Sequence, residues 1–130
     1  MVTIVFPELP QVVASISQKS SLALLYELPN AKKIGECNLT HLTHLLYNNS
    51  NGKYNREKAI EIRELARKSI GSSSESFAFE LKQTINTIYF FQSQIDEIEN
   101  RIKEIMIDII KNDVKLYSEF IVININNIFL

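Results

Sequence analysis

The chain has 130 residues, 45% of them apolar, with 14 lysines and arginines against 15 aspartates and glutamates for a net charge of −1. That length suits one domain with a real core, and the near-neutral balance excludes a bulk-charge argument for nucleic acid or membrane. A single cysteine, Cys37, excludes an internal disulfide and suits a reducing compartment. With no basic leader and no run near the roughly 18 apolar residues of a spanning helix, a soluble, cytoplasmic chain is expected.

Residues 1–10 are expected to be the end of a preceding segment, because Pro7 and Pro10 block a regular helix there. Apolar residues at 12, 13, 16, 22, 24, 25 and 28 predict a helix from Val12 to Leu28, weakest near Lys19-Ser20-Ser21 and ended by Pro29. Asn38 or Thr40 is placed to cap a short helix that runs through Leu46 or Tyr47. Asn48-Asn49-Ser50-Asn51-Gly52 reads as a loop, since Asn and Gly tolerate positive φ. Asn55 then caps a helix from Arg56 to Ile70, and Gly71 sits where a left-handed C-terminal cap belongs. Ser72 and Glu75 have capping-box spacing and are expected to open the last helix.

That last helix carries a seven-residue apolar repeat. Leu81, Ile88, Ile95, Ile102 and Ile109 form one row, and Phe77, Thr84, Phe91, Ile98 and Ile105 form the second. These are the a and d positions of a coiled coil sustained for about five heptads, over a helix of roughly 50 Å. Isoleucine at both positions disfavours a parallel two-stranded coil, which an antiparallel pair or packing between domains escapes. Asn112 ends the pattern at a d position. Phe120-Ile121-Val122-Ile123-Asn124-Ile125 is β-prone, nearly uncharged and an aggregation hazard if exposed.

The expected fold is therefore all-α, with short helices leading into one long coiled-coil helix and an atypical tail. Its segments are 1–37 (linker and helix), 38–71 (helix-loop-helix with a basic cluster), 72–112 (coiled-coil helix) and 113–130 (tail). The seam residues Leu81, Ile88, Phe91, Ile95, Ile98, Ile102, Ile105 and Ile109 are the expected oligomerisation surface, with a second copy of the chain as partner.

Few residues suggest catalysis. Cys37, His41 and His44 would share one face of a helix; a structural zinc site needs a fourth ligand and the chain has no further Cys or His, which leaves a three-ligand catalytic site or, more simply, a helix with two polar histidines beside Leu42, Leu45 and Leu46. Glu57, Glu61 and Glu64 share a face that reads as solvated. There is no nucleophile-base arrangement, phosphate-binding glycine loop or zinc-ribbon spacing. The basic cluster is more informative. Between Lys53 and Lys68 six basic residues stand against three glutamates, a local net charge of +3 that leaves −4 for the rest. Arg56, Arg63 and Arg67 fall within a stripe of about 40° on one helix. With Lys53 of the Gly-Lys-Tyr loop, they are the candidate phosphate contacts. An ordinary amphipathic helix of mixed charge is the competing explanation.

The run from Asn49 to Ile60 (Asn-Ser-Asn-Gly-Lys-Tyr-Asn-Arg-Glu-Lys-Ala-Ile), continuing through Ala66-Arg67-Lys68-Ser69-Ile70-Gly71, resembles the middle of insertion-sequence transposases of the IS-one-ten group. These are DEDD-type, RuvC-like recombinases guided by a bridge RNA. Val2 to Leu9 resembles the segment that follows the family's nuclease domain. Leu22 to Pro29 resembles its next helix, and Gln94 to Glu99 its coiled coil. The four blocks keep order and spacing from residue 2 to about 110.

The resemblance implies a region that links two catalytic domains and assembles on DNA and structured RNA. The family's four acidic residues, which bind a divalent metal, lie upstream of anything here. Its serine-nucleophile domain should follow the coiled coil with a Pro-Gly hairpin, which residues 111–130 do not resemble. A second glycine often follows the aromatic of the Gly-Lys-Tyr loop, where this chain has Asn55. The expectation is a transposase fragment, involved in DNA transposition only through its parent, without catalytic residues or a cofactor of its own. Met1 would be an internal start and the tail a frameshifted or truncated end. A non-enzymatic helical interaction module is the alternative.

Overall fold

A computed structural model describes residues 1–129, without the side chain of Phe129. Among the described residues the fold is all-helical with no strand, as the sequence predicts. The elements are α1 (Val2–Val5), a 3-10 turn (Leu9–Gln11), α2 (Lys19–Glu27), α3 (Ala31–Glu36), α4 (Leu39–Asn48), α5 (Arg56–Arg67) and α6 (Glu75–Phe129). They divide into two units, residues 1–88 and residues 89 onward.

The first unit has the core. α3 and α4 both pack on α5, and α2 packs on α4. Phe6, Leu9, Leu24, Leu25, Ile34, Leu42, Leu46, Ile62 and Ile85 are fully buried. The helices form where caps meet apolar spacing. Asn38 accepts from the N–H groups of Thr40 (2.9 Å) and His41 (3.1 Å), so it, and not Thr40, caps α4. Asn38→Ala is expected to cost about 1 kcal/mol, measured by urea denaturation; no loss would remove the cap from the account. Asn55 caps α5 through the N–H of Lys58 (3.1 Å), and Asn51 and Gly52 take the positive φ values of 53° and 80° that the loop requires.

Several sequence expectations need correction. The helix expected from Val12 begins only at Lys19, because residues before it are held in turns. The Ser21 hydroxyl donates to the Ser15 carbonyl at 2.9 Å, and Ser15 and Ser17 bond to each other. Pro29 does end α2, yet buried Asn30 at once caps α3 by accepting from the N–H of Lys33 at 2.9 Å. α5 stops at Arg67, short of Ile70. Gly71 is not left-handed; its lack of a side chain lets it pass the Val5 carbonyl, where a Cβ would lie 2.3 Å from the oxygen. The Ser72–Glu75 capping box does not form. The Ser72 hydroxyl accepts from the N–H of Ser74, its own N–H donates to the Ile4 carbonyl at 2.6 Å, and Glu75 pairs with Lys33 at 3.3 Å.

The N-terminal segment is thus tied to residues 69–72. Glu8 completes the tie, accepting from the Ser69 hydroxyl and from the Ile70 N–H (3.1 Å). Burial pushes the Glu8 carboxyl upward, but these hydrogen bonds outweigh it and hold the group below the ordinary glutamate range. A depressed folded value stabilises above the unfolded value and is lost as pH falls through the folded one. Wild type should therefore lose stability below the ordinary glutamate range more steeply than Glu8→Gln, in thermal melts across acid pH. Parallel curves would remove Glu8 as a contributor.

The second unit is α6 from residue 89 onward, and the tail belongs to it. Residues 113–129 are helical, although the sequence sets them apart from the coiled coil. Gly71 is the last glycine of the chain and Pro29 the last proline, so nothing stops the helix once it has started. β-propensity is weak where no neighbouring strand is offered. Leu130, the end of that segment, lies outside the described residues. No helix is long and apolar enough to cross a membrane among the described residues.

Candidate assembly face and basic cluster

The seam of α6 changes role along its length. Ala78, Leu81 and Ile85 are buried and Ile88 is partly so, a stripe at i, i+3, i+7 and i+10 that docks the start of α6 in the first unit. Leu81 and Ile85 line an apolar groove with Val2, Ile16, Leu22 and Leu25. Leu81, expected at an oligomer seam, is thus spent inside the unit, and Ile88 partly so. Of the second row, Thr84 is exposed and its hydroxyl donates to the Glu80 carbonyl at 2.9 Å, while Ile85 takes the buried position. Lys82 reinforces the docking by lying 5.3 Å from the centre of the Tyr26 ring.

From Phe91 onward the repeat is bare. Phe91, Ile95, Ile98, Ile102, Ile105 and Ile109 keep between 44% and 59% of their surface accessible. Scattered exposed hydrophobes are ordinary, but six on one continuous helical stripe are not. Leu116, Tyr117, Phe120, Ile121 and Ile123 extend the exposure. The charges beside the stripe are solvated, with Arg101 held to Glu104 at 3.1 Å.

The basic cluster is divided. Arg67 donates from Nε to the Gly35 carbonyl (3.0 Å) and from Nη1 to Glu64 (2.9 Å), which ties α5 to α3. Arg63 is half-buried, and its buried Nε has no hydrogen-bond partner among the described residues. Lys53 and Arg56 stand exposed at the start of α5. Of the four candidate phosphate contacts, Arg67 is thus the one tied to another helix, a distinction that angular spacing alone does not make. Lys58 pairs with Glu61 at 2.9 Å and lies 5.8 Å from the centre of the Tyr54 ring.

Tyr54 of the Gly-Lys-Tyr loop is a buried anchor. Its hydroxyl oxygen accepts from the Gln18 side-chain amide (2.6 Å) and the Ala14 N–H (3.3 Å). Burial raises the phenol, but these donors, with Lys53 and Lys58, outweigh it and hold it below its ordinary value. The loop is thereby fixed against the N-terminal segment.

The residues weighed as metal ligands do not share a helical face. Cys37 is the extended residue after α3, ahead of the Asn38 cap, so only His41 and His44 lie on α4. His41 is hydrogen-bonded to Glu27, and His44 is exposed. Burial first, and then Glu27, push the Cys37 thiol up, although Arg63 opposes them. A raised thiol is a poor nucleophile at neutral pH. Glu57, Glu61 and Glu64 are exposed, as a solvated face should be. Comparison with protein-family models, curated proteins and solved structures returns no match.

Proposed function

We propose that this chain is the inter-domain segment of a transposase of the IS-one-ten type, catalytically inactive by itself, which serves as an assembly element. One observation carries the assembly role: the helix from Phe91 to Ile109 presents an unbroken isoleucine-rich stripe that is about half exposed. Such a stripe stabilises a helix only when another apolar surface covers it. The transposase origin rests on the four sequence blocks in order. Its test is to read several hundred bases of flanking DNA in all frames. An upstream frame with the four-carboxylate nuclease and a downstream frame with the serine domain are expected; intact unrelated genes on both sides would contradict the origin.

Nucleic-acid contact is assigned to Lys53 and Arg56, with Arg63 and Arg67 behind them. If the exposed pair meets phosphates, Lys53→Gln with Arg56→Gln should reduce the slope of log K against log salt by about 2. Arg67→Gln should instead lower the melting temperature by loosening α3 from α5. An unchanged slope in the first variant would remove nucleic acid from the account. The tie of Arg67 to the Gly35 carbonyl supports the second reading, a helical protein-interaction module with no nucleic-acid partner.

A further inference from the structure

We infer that a second copy of this chain covers the stripe as an antiparallel pair in one defined register, with Ile102 opposite Ile105 of the other copy. The inference rests on the assembly role proposed above and adds orientation and register to it. The observations behind it are the charges that flank the stripe. With Ile95, Ile102 and Ile109 at a, and Phe91, Ile98 and Ile105 at d, the e positions are Gln92, Glu99, Met106 and Asp113. The g positions are Gln94, Arg101, Asp108 and Lys115. In antiparallel coils a faces d, g flanks g and e flanks e; in parallel coils g flanks the e of the next heptad. Opposite charges at these flanks select the partner and like charges reject it.

In the register that sets Ile102 against Ile105, Ile98 meets Ile109 and Phe91 meets Leu116, and between Phe91 and Leu116 only Ile95 meets a polar residue, Asn112. Arg101 then flanks Asp108 twice, once on each side of the two-fold axis. Gln94 flanks Lys115, Gln92 flanks Asp113 and Glu99 flanks Met106, so no like charges meet. A shift of one heptad in one direction brings Arg101 to Arg101 and Glu99 to Glu99. A shift in the other direction brings Asp108 to Asp108, Arg101 to Lys115 and Glu99 to Asp113. The parallel in-register pair brings Asp108 to Asp113 on both flanks, and isoleucine at both a and d already disfavours it. One arrangement of the four avoids like-charge contact. Arg101 can turn to Asp108 because its bond to Glu104 is a solvated pair, with both side chains about two-thirds exposed or more.

The test is a pair of spin-label distances in the full chain with Cys37→Ser, labelled at Ser93→Cys in one sample and at Asn100→Cys in another. Both positions lie on the outer face of the proposed pair. At 1.5 Å per residue, the antiparallel register separates the Ser93 labels along the axis by about 30 Å and the Asn100 labels by about 10 Å. The Ser93 distance should therefore be clearly the longer. Equal distances would mean a parallel pair and overturn the inference while leaving assembly intact. Absence of dipolar coupling at both positions would overturn assembly itself. A second variant guards against perturbation by the label. Arg101→Asp should weaken association, and adding Asp108→Arg should restore it; failure of restoration would overturn the register.

Discussion

Gly71→Ala is expected to destabilise the first unit by about 2–3 kcal/mol, the scale of overpacking in a filled site. For a unit of this size that lowers the melting temperature by roughly 10–20 °C. The new Cβ would lie 2.3 Å from the Val5 carbonyl oxygen and 2.7 Å from its carbon. Both are backbone atoms, so neither can swing aside as a side-chain tip would. Nor can the two strands of chain separate cheaply. The Ser72 N–H bonds the Ile4 carbonyl on one side of the contact, and Glu8 holds Ser69 and Ile70 on the other. Thermal unfolding followed by circular dichroism measures the loss. A melting temperature within a degree or two of wild type would show that the N-terminal segment is not held against the α5–α6 link.

Ile95→Asp combined with Ile102→Asp has the second large effect, on assembly and not on folding. Each isoleucine is worth about 1.5–3 kcal/mol when fully buried, and a two-copy seam would bury four of them. The substitutions also put carboxylates into the seam, at Ile102 directly against the Ile105 of the other copy, which costs more than the lost burial alone. The double variant should be monomeric at every accessible concentration. Its first unit should melt as wild type does, because both residues are exposed within the chain and lie outside that unit. An unchanged mass relative to an oligomeric wild type would move the contact elsewhere, to the apolar groove or to residues 116–128.

The sequence makes the all-α class legible because local signals agree. Asn38 and Asn55 cap helices whose apolar residues recur at helical spacing, and the Asn51-Gly52 turn takes the positive φ it suggests. Signals that depend on tertiary partners mislead. Ser72 and Glu75 have the spacing of a capping box, but Ile4 and Lys33 claim them first. Gly71 looks like a helix terminator and is instead a close-approach residue. The short α3 is missed because Pro29 suggests only an ending, although Asn30 after it is a good cap. The β-prone tail is helical because nothing interrupts α6.

The candidate sites divide in the same way. The seam's periodicity is visible in the chain, but where it stops serving the core and starts facing solvent depends on how far the first unit reaches. The arginine stripe is visible too, yet the Gly35 carbonyl that takes Arg67 is 32 residues away in sequence.

Sedimentation equilibrium of the wild-type chain over the micromolar range decides whether the isoleucine face of α6 is an assembly surface. The mass should rise with concentration to twice that of the chain, and should stay at the monomer value in the Ile95→Asp, Ile102→Asp variant. A wild-type mass fixed at one chain throughout would contradict it.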